Sequence, residues 1–182
     1  STANADHSVS PRYKLTKLRT ESTRFFAFEA KTSKLLWQYD AKHSLRHNAI
    51  AIAGDRVYLI DRPLVMQDRI TVPKRNGRHQ PKLKADQVPT GALLALDSRT
   101  GREIWRNENN IIGTQLATSE KHSVLLMNFS AVRHRFFKLP SEVGDSLAAF
   151  DTKTGKRLWE KPAKYETRPV INDQIIYAQG GA

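Results

Sequence analysis

The sequence predicts an all-β chain built from a repeated, four-stranded antiparallel unit, and three observations carry that reading. First, three segments align over their whole length: Ala27 to Trp37, Ala95 to Trp105 and Ala149 to Trp159. Second, all three tryptophans of the chain stand at the last position of this unit. Third, a pair of short apolar runs around a polar turn follows each tryptophan, as in Asn48 to Ile60 and Arg168 to Ala178. A fixed recurrence of this kind marks a repeat architecture, which has to be recognised before any single element is assigned.

Within the aligned unit, an apolar strand runs into an acidic residue, a polar turn follows, and a short alternating strand ends on a large aromatic ring. Gly101 and Gly155 supply the positive φ that a tight turn demands, and Asp97 and Asp151 can accept hydrogen bonds from turn amides. Ser33 replaces the glycine in the first copy, so the turn there is either strained or differently bent. The paired apolar runs read as strands joined at Gly54-Asp55 and at Asn172-Asp173. A weaker counterpart after Trp105 comprises Gln115 to Thr118, a Ser-Glu-Lys turn and Ser123 to Met127.

One repeat is therefore four strands, the last two closing with the tryptophan unit. The spans from Trp37 to Trp105 and from Trp105 to Trp159 exceed the roughly 40 to 50 residues of a compact unit. The excess lies in two insertions between the second and third strands, Arg62 to Thr90 and Ala131 to Gly144. The order of strands predicts half a unit, two whole units and another half. Residues 1–24 are expected to form an N-terminal segment or an insertion, and residues 25–179 the repeat region, with basic insertions at 62–90 and 131–144.

Composition agrees with a folded β protein. Of 182 residues, 39% are hydrophobic and 26% charged, and no apolar run approaches the roughly 18 residues of a membrane-spanning helix. Cysteine is absent, which excludes disulfides, thiolate metal sites and cysteine nucleophiles. Ser1 to Ser10 are mostly small and polar, without the basic and apolar regions of a signal peptide. The net charge of +12 predicts attraction to anionic partners: nucleic acid, lipopolysaccharide, phospholipid or acidic polysaccharide. Between Arg62 and Thr90, seven basic residues stand against Asp68 and Asp86 alone, so much of the excess charge sits in one insertion.

The unit Ala-x-Asp-x-x-Thr-Gly-x-x-x-Trp, with a Pro-Val strand, a polar turn and a strand carrying tyrosine after it, resembles the blade repeat of the pyrroloquinoline-quinone-like β-propeller family. The resemblance covers Phe25 to Ala178 apart from the two insertions. It implies a partial propeller of four-stranded blades, about three blade equivalents of a ring of about seven or eight, whose remainder would be a partner of this chain. It also implies that Trp37, Trp105 and Trp159 dock onto the turn of the neighbouring blade, with Asp97, Gly101, Asp151 and Gly155 shaping that turn. A blade cannot bury both faces of its sheet alone, so a large flat side chain at each junction is a physically sound weld.

Two functions follow from the resemblance. One is a non-catalytic binding or scaffold module of a larger exported bacterial protein, periplasmic or otherwise outside the cytoplasm, presenting loops to protein or anionic polymer. The other is part of a quinone-dependent alcohol or sugar dehydrogenase, which would bring pyrroloquinoline quinone and calcium. No catalytic constellation is visible in the sequence. His7, His43, His47, His79, His122 and His134 are scattered and form no two-His helix or His-x-His pair, which argues against a metal site. Asn128-Phe129-Ser130 has the form of a glycosylation acceptor, but it falls in a predicted strand.

The insertions hold the candidate contact residues. Lys74, Arg75, Arg78, Lys82 and Lys84 with Pro81 and Gly77 suit phosphate or sulfate groups, and the absence of an aromatic among them argues against specific single-strand nucleic-acid recognition. Arg133, Arg135, Phe136 and Phe137 combine charge with adjacent rings suited to a protein or lipid surface. Binding is commonly built on loops carried by a rigid scaffold.

Overall fold

The computed structural model describes residues 21–63, 89–129, 146–165 and 168–180. Every regular element among them is a β-strand: β1 (Glu21–Phe28), β2 (Leu35–Ala53), β3 (Arg56–Asp61), β4 (Gly91–Asp97), β5 (Glu103–Ile111), β6 (Gln115–Ser119), β7 (Val124–Phe129), β8 (Ser146–Asp151), β9 (Arg157–Pro162), β10 (Val170–Asn172) and β11 (Ile175–Tyr177). They form a five-stranded sheet in the order β1-β2-β3-β4-β5, a four-stranded sheet β6-β7-β8-β9, and the pair β10-β11. All pairs are antiparallel. This is the strand arrangement of a partial propeller.

The five-stranded sheet is one and a half blades joined without a break. β2 pairs with β1 through Leu35 to Asp40 and with β3 through Ile50 to Ala53, so a single strand closes one blade and opens the next. The sequence predicts two separate strands here. They stay continuous because the Asp61 carboxylate takes the backbone amides of Lys42 (2.7 Å), His43 (2.9 Å) and Ser44 (3.1 Å), satisfying the donors of the irregular middle of β2 while it shifts register.

Stability comes from faces stacked on faces. Along β3 and β4, alternate side chains enter different cores: Val57, Leu59, Leu94 and Leu96 pack with Trp37 and Leu45, whereas Tyr58, Ile60, Leu93 and Ala95 pack with Leu116, Leu125, Met127 and Phe150. A central strand buried on both sides must read as a nearly unbroken apolar run, which Val57 to Ile60 and Ala92 to Leu96 do. At about 25 cal/mol per Å² of apolar surface, each Val, Leu and Ile side chain among these contributes on the order of 1.5 to 3 kcal/mol when it is fully covered.

The three tryptophan-unit turns share one backbone. Ser33, Gly101 and Gly155 donate their amides to the carbonyls of Glu29 (2.8 Å), Asp97 (2.8 Å) and Asp151 (2.9 Å). Their φ angles are 54°, 72° and 71°. Ser33 therefore adopts the left-handed conformation instead of rebuilding the turn. Asn128, the residue of the glycosylation-type motif, is fully buried in β7.

Candidate functional site: the blade seams and the loop-bearing edge

Each blade seam is built around an indole. Trp37 donates its Nε1–H to the Ser98 carbonyl at 2.9 Å, and Trp105 donates to the Thr152 carbonyl at 2.9 Å. The rings lie flat against the glycines of the same turns: a Cβ on Gly101 would come 2.6 Å from the ring of Trp37, and one on Gly155 would come 2.4 Å from that of Trp105. Phe25 and Tyr58 back the two indoles at centroid separations of 5.7 and 6.0 Å.

Polar contacts complete the second of these seams, with Asn107 Nδ2 donating to the Gly155 carbonyl (2.7 Å) and Arg56 Nη1 to the Thr152 carbonyl (2.6 Å). Trp159 stands apart. It is half-buried, with the Lys161 ammonium 6.0 Å from its ring centroid, and no tryptophan-unit turn among the described residues receives it.

The two aspartates hold these turns in shape. Asp97 Oδ1 accepts from the Arg99 and Thr100 amides and the Thr100 hydroxyl, and Asp151 Oδ1 accepts from Lys153, Thr154 and the Thr154 hydroxyl in the same way. The threonine hydroxyl is the largest of the effects that draw each carboxyl below its ordinary range.

A second region lies where the insertions leave the blades, and its key side chains are ones that motif reading passes over. Arg62, only 2% exposed, donates through Nε to the Pro89 carbonyl at 3.1 Å and through Nη1 to the carbonyls of Ile112 and Gly113. It thereby ties both feet of the first insertion to the linker that enters the next blade. Tyr165 does the corresponding work for the second. Its hydroxyl accepts from the Phe129 amide (2.8 Å) and lies 2.9 and 2.8 Å from the Phe129 and Ser146 carbonyls, the residues flanking that insertion.

The signal for Arg62 is the charged pair Asp61-Arg62 directly following the buried run Val57 to Ile60. Tyr165 carried no pattern of its own.

Beside the first insertion a cavity of about 310 Å³ opens above Asp61, with Lys42, His43, Arg106 and Glu108 on its walls. Its charges are largely matched internally. Arg106 grips Glu103 through Nη2 (2.7 Å) and Nε (3.1 Å), a bond that raises its pKa, and reaches Glu108 at 3.5 Å. Burial first, and then the charge of Asp61, push the Tyr39 phenol up to about 12.

Lys74, Arg75, Arg78, Lys82, Lys84, Arg133, Arg135, Phe136 and Phe137 lie outside the described residues. Among the described residues, no three His, Asp or Glu side chains gather as a metal site, and no helix is long and apolar enough to cross a membrane.

The family model described as outer membrane protein assembly factor BamB matches residues 5–168. Among solved structures, BamB from Moraxella catarrhalis is 16% identical with a TM-score of 0.50, the match covering 87% of this chain and 41% of that one. A quinohemoprotein alcohol dehydrogenase, ADHIIG from Pseudomonas putida HK5, is 15% identical with a TM-score of 0.45 over 77% of this chain and 24% of its own. A europium-containing methanol dehydrogenase is 13% identical with a TM-score of 0.44 over 78% and 21%. The chain thus spans less than half the length of each of these three structures. No curated protein matches it. With the family model covering most of its length and a blade repeat closed by Trp37 and Trp105, this chain belongs to the pyrroloquinoline-quinone-like β-propeller family described by outer membrane protein assembly factor BamB.

Proposed function

We propose that this chain is part of a non-catalytic propeller of the bacterial periplasm that presents its two basic insertions to protein partners, in the manner of an outer-membrane protein assembly factor. The observation that carries this reading is the anchoring of both insertions on one edge. Arg62 and Tyr165 each spend a buried polar group on holding the feet of an insertion against the start of the next blade. A scaffold gains from such anchoring, because a loop whose feet are fixed loses less entropy when it is captured. Lys74, Arg75, Arg78, Lys82 and Lys84 of the first insertion then supply the charge that draws an acidic partner surface, and Arg133, Arg135, Phe136 and Phe137 of the second a mixed basic and aromatic contact.

The test compares the intact chain with a version in which residues 64–88 are replaced by a short Gly-Ser link. Each is immobilised and challenged with envelope extract and with an acidic polymer over a salt series. The scaffold reading expects a salt-sensitive protein partner that the shortened chain loses while its thermal transition is unchanged. Equal capture by both chains overturns the assignment to this loop. Dye-linked alcohol oxidation by the full-length protein after addition of pyrroloquinoline quinone and calcium overturns it in favour of a dehydrogenase.

A further inference from the structure

Each tryptophan-unit turn carries two cations at the same two positions: Lys31 and Lys34, Arg99 and Arg102, Lys153 and Lys156. β4 and β8 each begin after an insertion and finish in one of these turns, so the turns lie at the end of the blades away from the insertions. They also lie side by side. Trp37, just past the first turn, reaches the Ser98 carbonyl of the second, and Trp105, just past the second, reaches the Thr152 carbonyl of the third.

All six cationic side chains are exposed, and none of them makes a hydrogen bond or ion pair. Arg99, Arg102, Lys153 and Lys156 stay exposed in turns whose glycine an indole already covers, so a filled seam does not bury them. The acids of the turns fold inward: Glu29, Asp97 and Asp151 each accept from the threonine hydroxyl of their own turn. Acids around the turns have other partners. Glu103 pairs with Arg106 (2.7 Å), Glu160 with Arg157 (2.6 Å), Asp173 with Lys121 (3.0 Å), and Asp55 lies 3.5 Å from Arg56. Six cations against three acids leave the turns with an excess of positive charge.

The form of this charge narrows the partner. Only Thr with Ser or Gly stands between the cations of each pair, so the tips offer no ring for stacking and no apolar anchor for a shaped protein. Four of the six are lysines, flexible point charges that need no fixed partner geometry. Equivalent positions on neighbouring turns set the cations at one level, which suits a plane of phosphates better than a groove-bound polymer. We propose that this turn-bearing end is a docking surface for an anionic phospholipid bilayer, met by Lys31, Lys34, Arg99, Arg102, Lys153 and Lys156 as a row of charge with one pair per turn. The attraction fades within a Debye length of about 8 Å at physiological salt, so docking is reversible and salt-sensitive. The inference does not depend on what the insertions bind.

The test is co-sedimentation of the full chain with vesicles of phosphatidylglycerol and phosphatidylcholine in equal parts, and with vesicles of phosphatidylcholine alone. A turn variant carries Gln at all six positions, and an insertion variant carries Lys74→Gln, Arg75→Gln, Arg78→Gln, Lys82→Gln and Lys84→Gln, a similar loss of charge at the other end. The unmodified chain is expected to bind the anionic vesicles alone, and less as salt rises. The turn variant should bind them at least about tenfold more weakly, and the insertion variant should keep most of the affinity. Arg99→Gln with Arg102→Gln, and Lys153→Gln with Lys156→Gln, should each give a part of that loss if the sixfold variant does not fold. Equal binding by the unmodified chain and the turn variants, or a loss confined to the insertion variant, would overturn the proposal. Turn-dependent binding of soluble polyphosphate without binding of vesicles would overturn it in favour of a polymer.

Discussion

The ring of Trp37 lies so close to Gly101 that no side chain fits between them, whereas Ser33, at the same point of an identical turn, has no ring above it among the described residues. The same local sequence pattern thus serves two situations, and substitution separates them. Gly101→Ala and Gly155→Ala must strain a positive φ and displace an indole, and each is expected to lower stability by about 2 to 4 kcal/mol. Ser33→Gly relieves backbone strain at the loss of one exposed hydrogen bond to the Thr32 carbonyl, and should raise stability by up to about 1 kcal/mol. Urea unfolding midpoints of the three variants decide it, and similar losses at Gly101 and Ser33 would contradict the packing account.

The turn aspartates predict an acid limb of stability. Thr100 and Thr154 favour the ionised carboxylates of Asp97 and Asp151, so the folded-state pKa of each lies below its unfolded value. A lowered acid contributes fully above the ordinary carboxylate value of about 3.9, and its contribution fades as pH falls through the folded-state value. Stability should therefore drop below about pH 4, and the Asp97→Asn, Asp151→Asn double variant should show a shallower drop over the same range. Denaturant titrations at stepped pH would measure it. Parallel acid limbs in the two proteins would assign the effect to other carboxylates.

At the loop-bearing edge, Tyr165→Phe leaves the buried Phe129 amide without its acceptor and should cost about 1 to 3 kcal/mol. Arg62→Leu removes donors to Pro89, Ile112 and Gly113 and should cost about 2 to 4 kcal/mol. Hydrogen exchange gives the finer readout. Protection should fall at Phe129 in the first variant and at Thr114, which follows the carbonyls that Arg62 holds, in the second. Uniform loss of protection across both blades would mean that the two side chains support the whole fold and not the feet of the insertions.

What could be read beforehand followed the range of the interactions. The tryptophan units and their turns are local: Asp, Thr and Gly act within five residues of one another, and their pattern recurs, so the strands, the turns and the places of Trp37 and Trp105 on them were legible from the residues. The anchoring of the insertions is not local. Arg62 finds Ile112 and Tyr165 finds Phe129 across gaps that no periodicity encodes. Asp61 is a similar case, since a lone acid after an apolar run does not announce that it will collect three consecutive amides and let two expected strands become one.

That merged strand has a kinetic corollary. Because β2 is an edge of one stacked layer and the entry to the next, neither layer can peel away alone without breaking hydrogen bonds in the other, so residues 21–63 and 89–111 should unfold as one cooperative block. The following blade is attached through Ile112, Gly113 and Thr114 and carries its own complete ladder. During synthesis, β2 emerges well before β4 and β5, and the long-range pairing it awaits makes the joining of these layers the slow event of assembly.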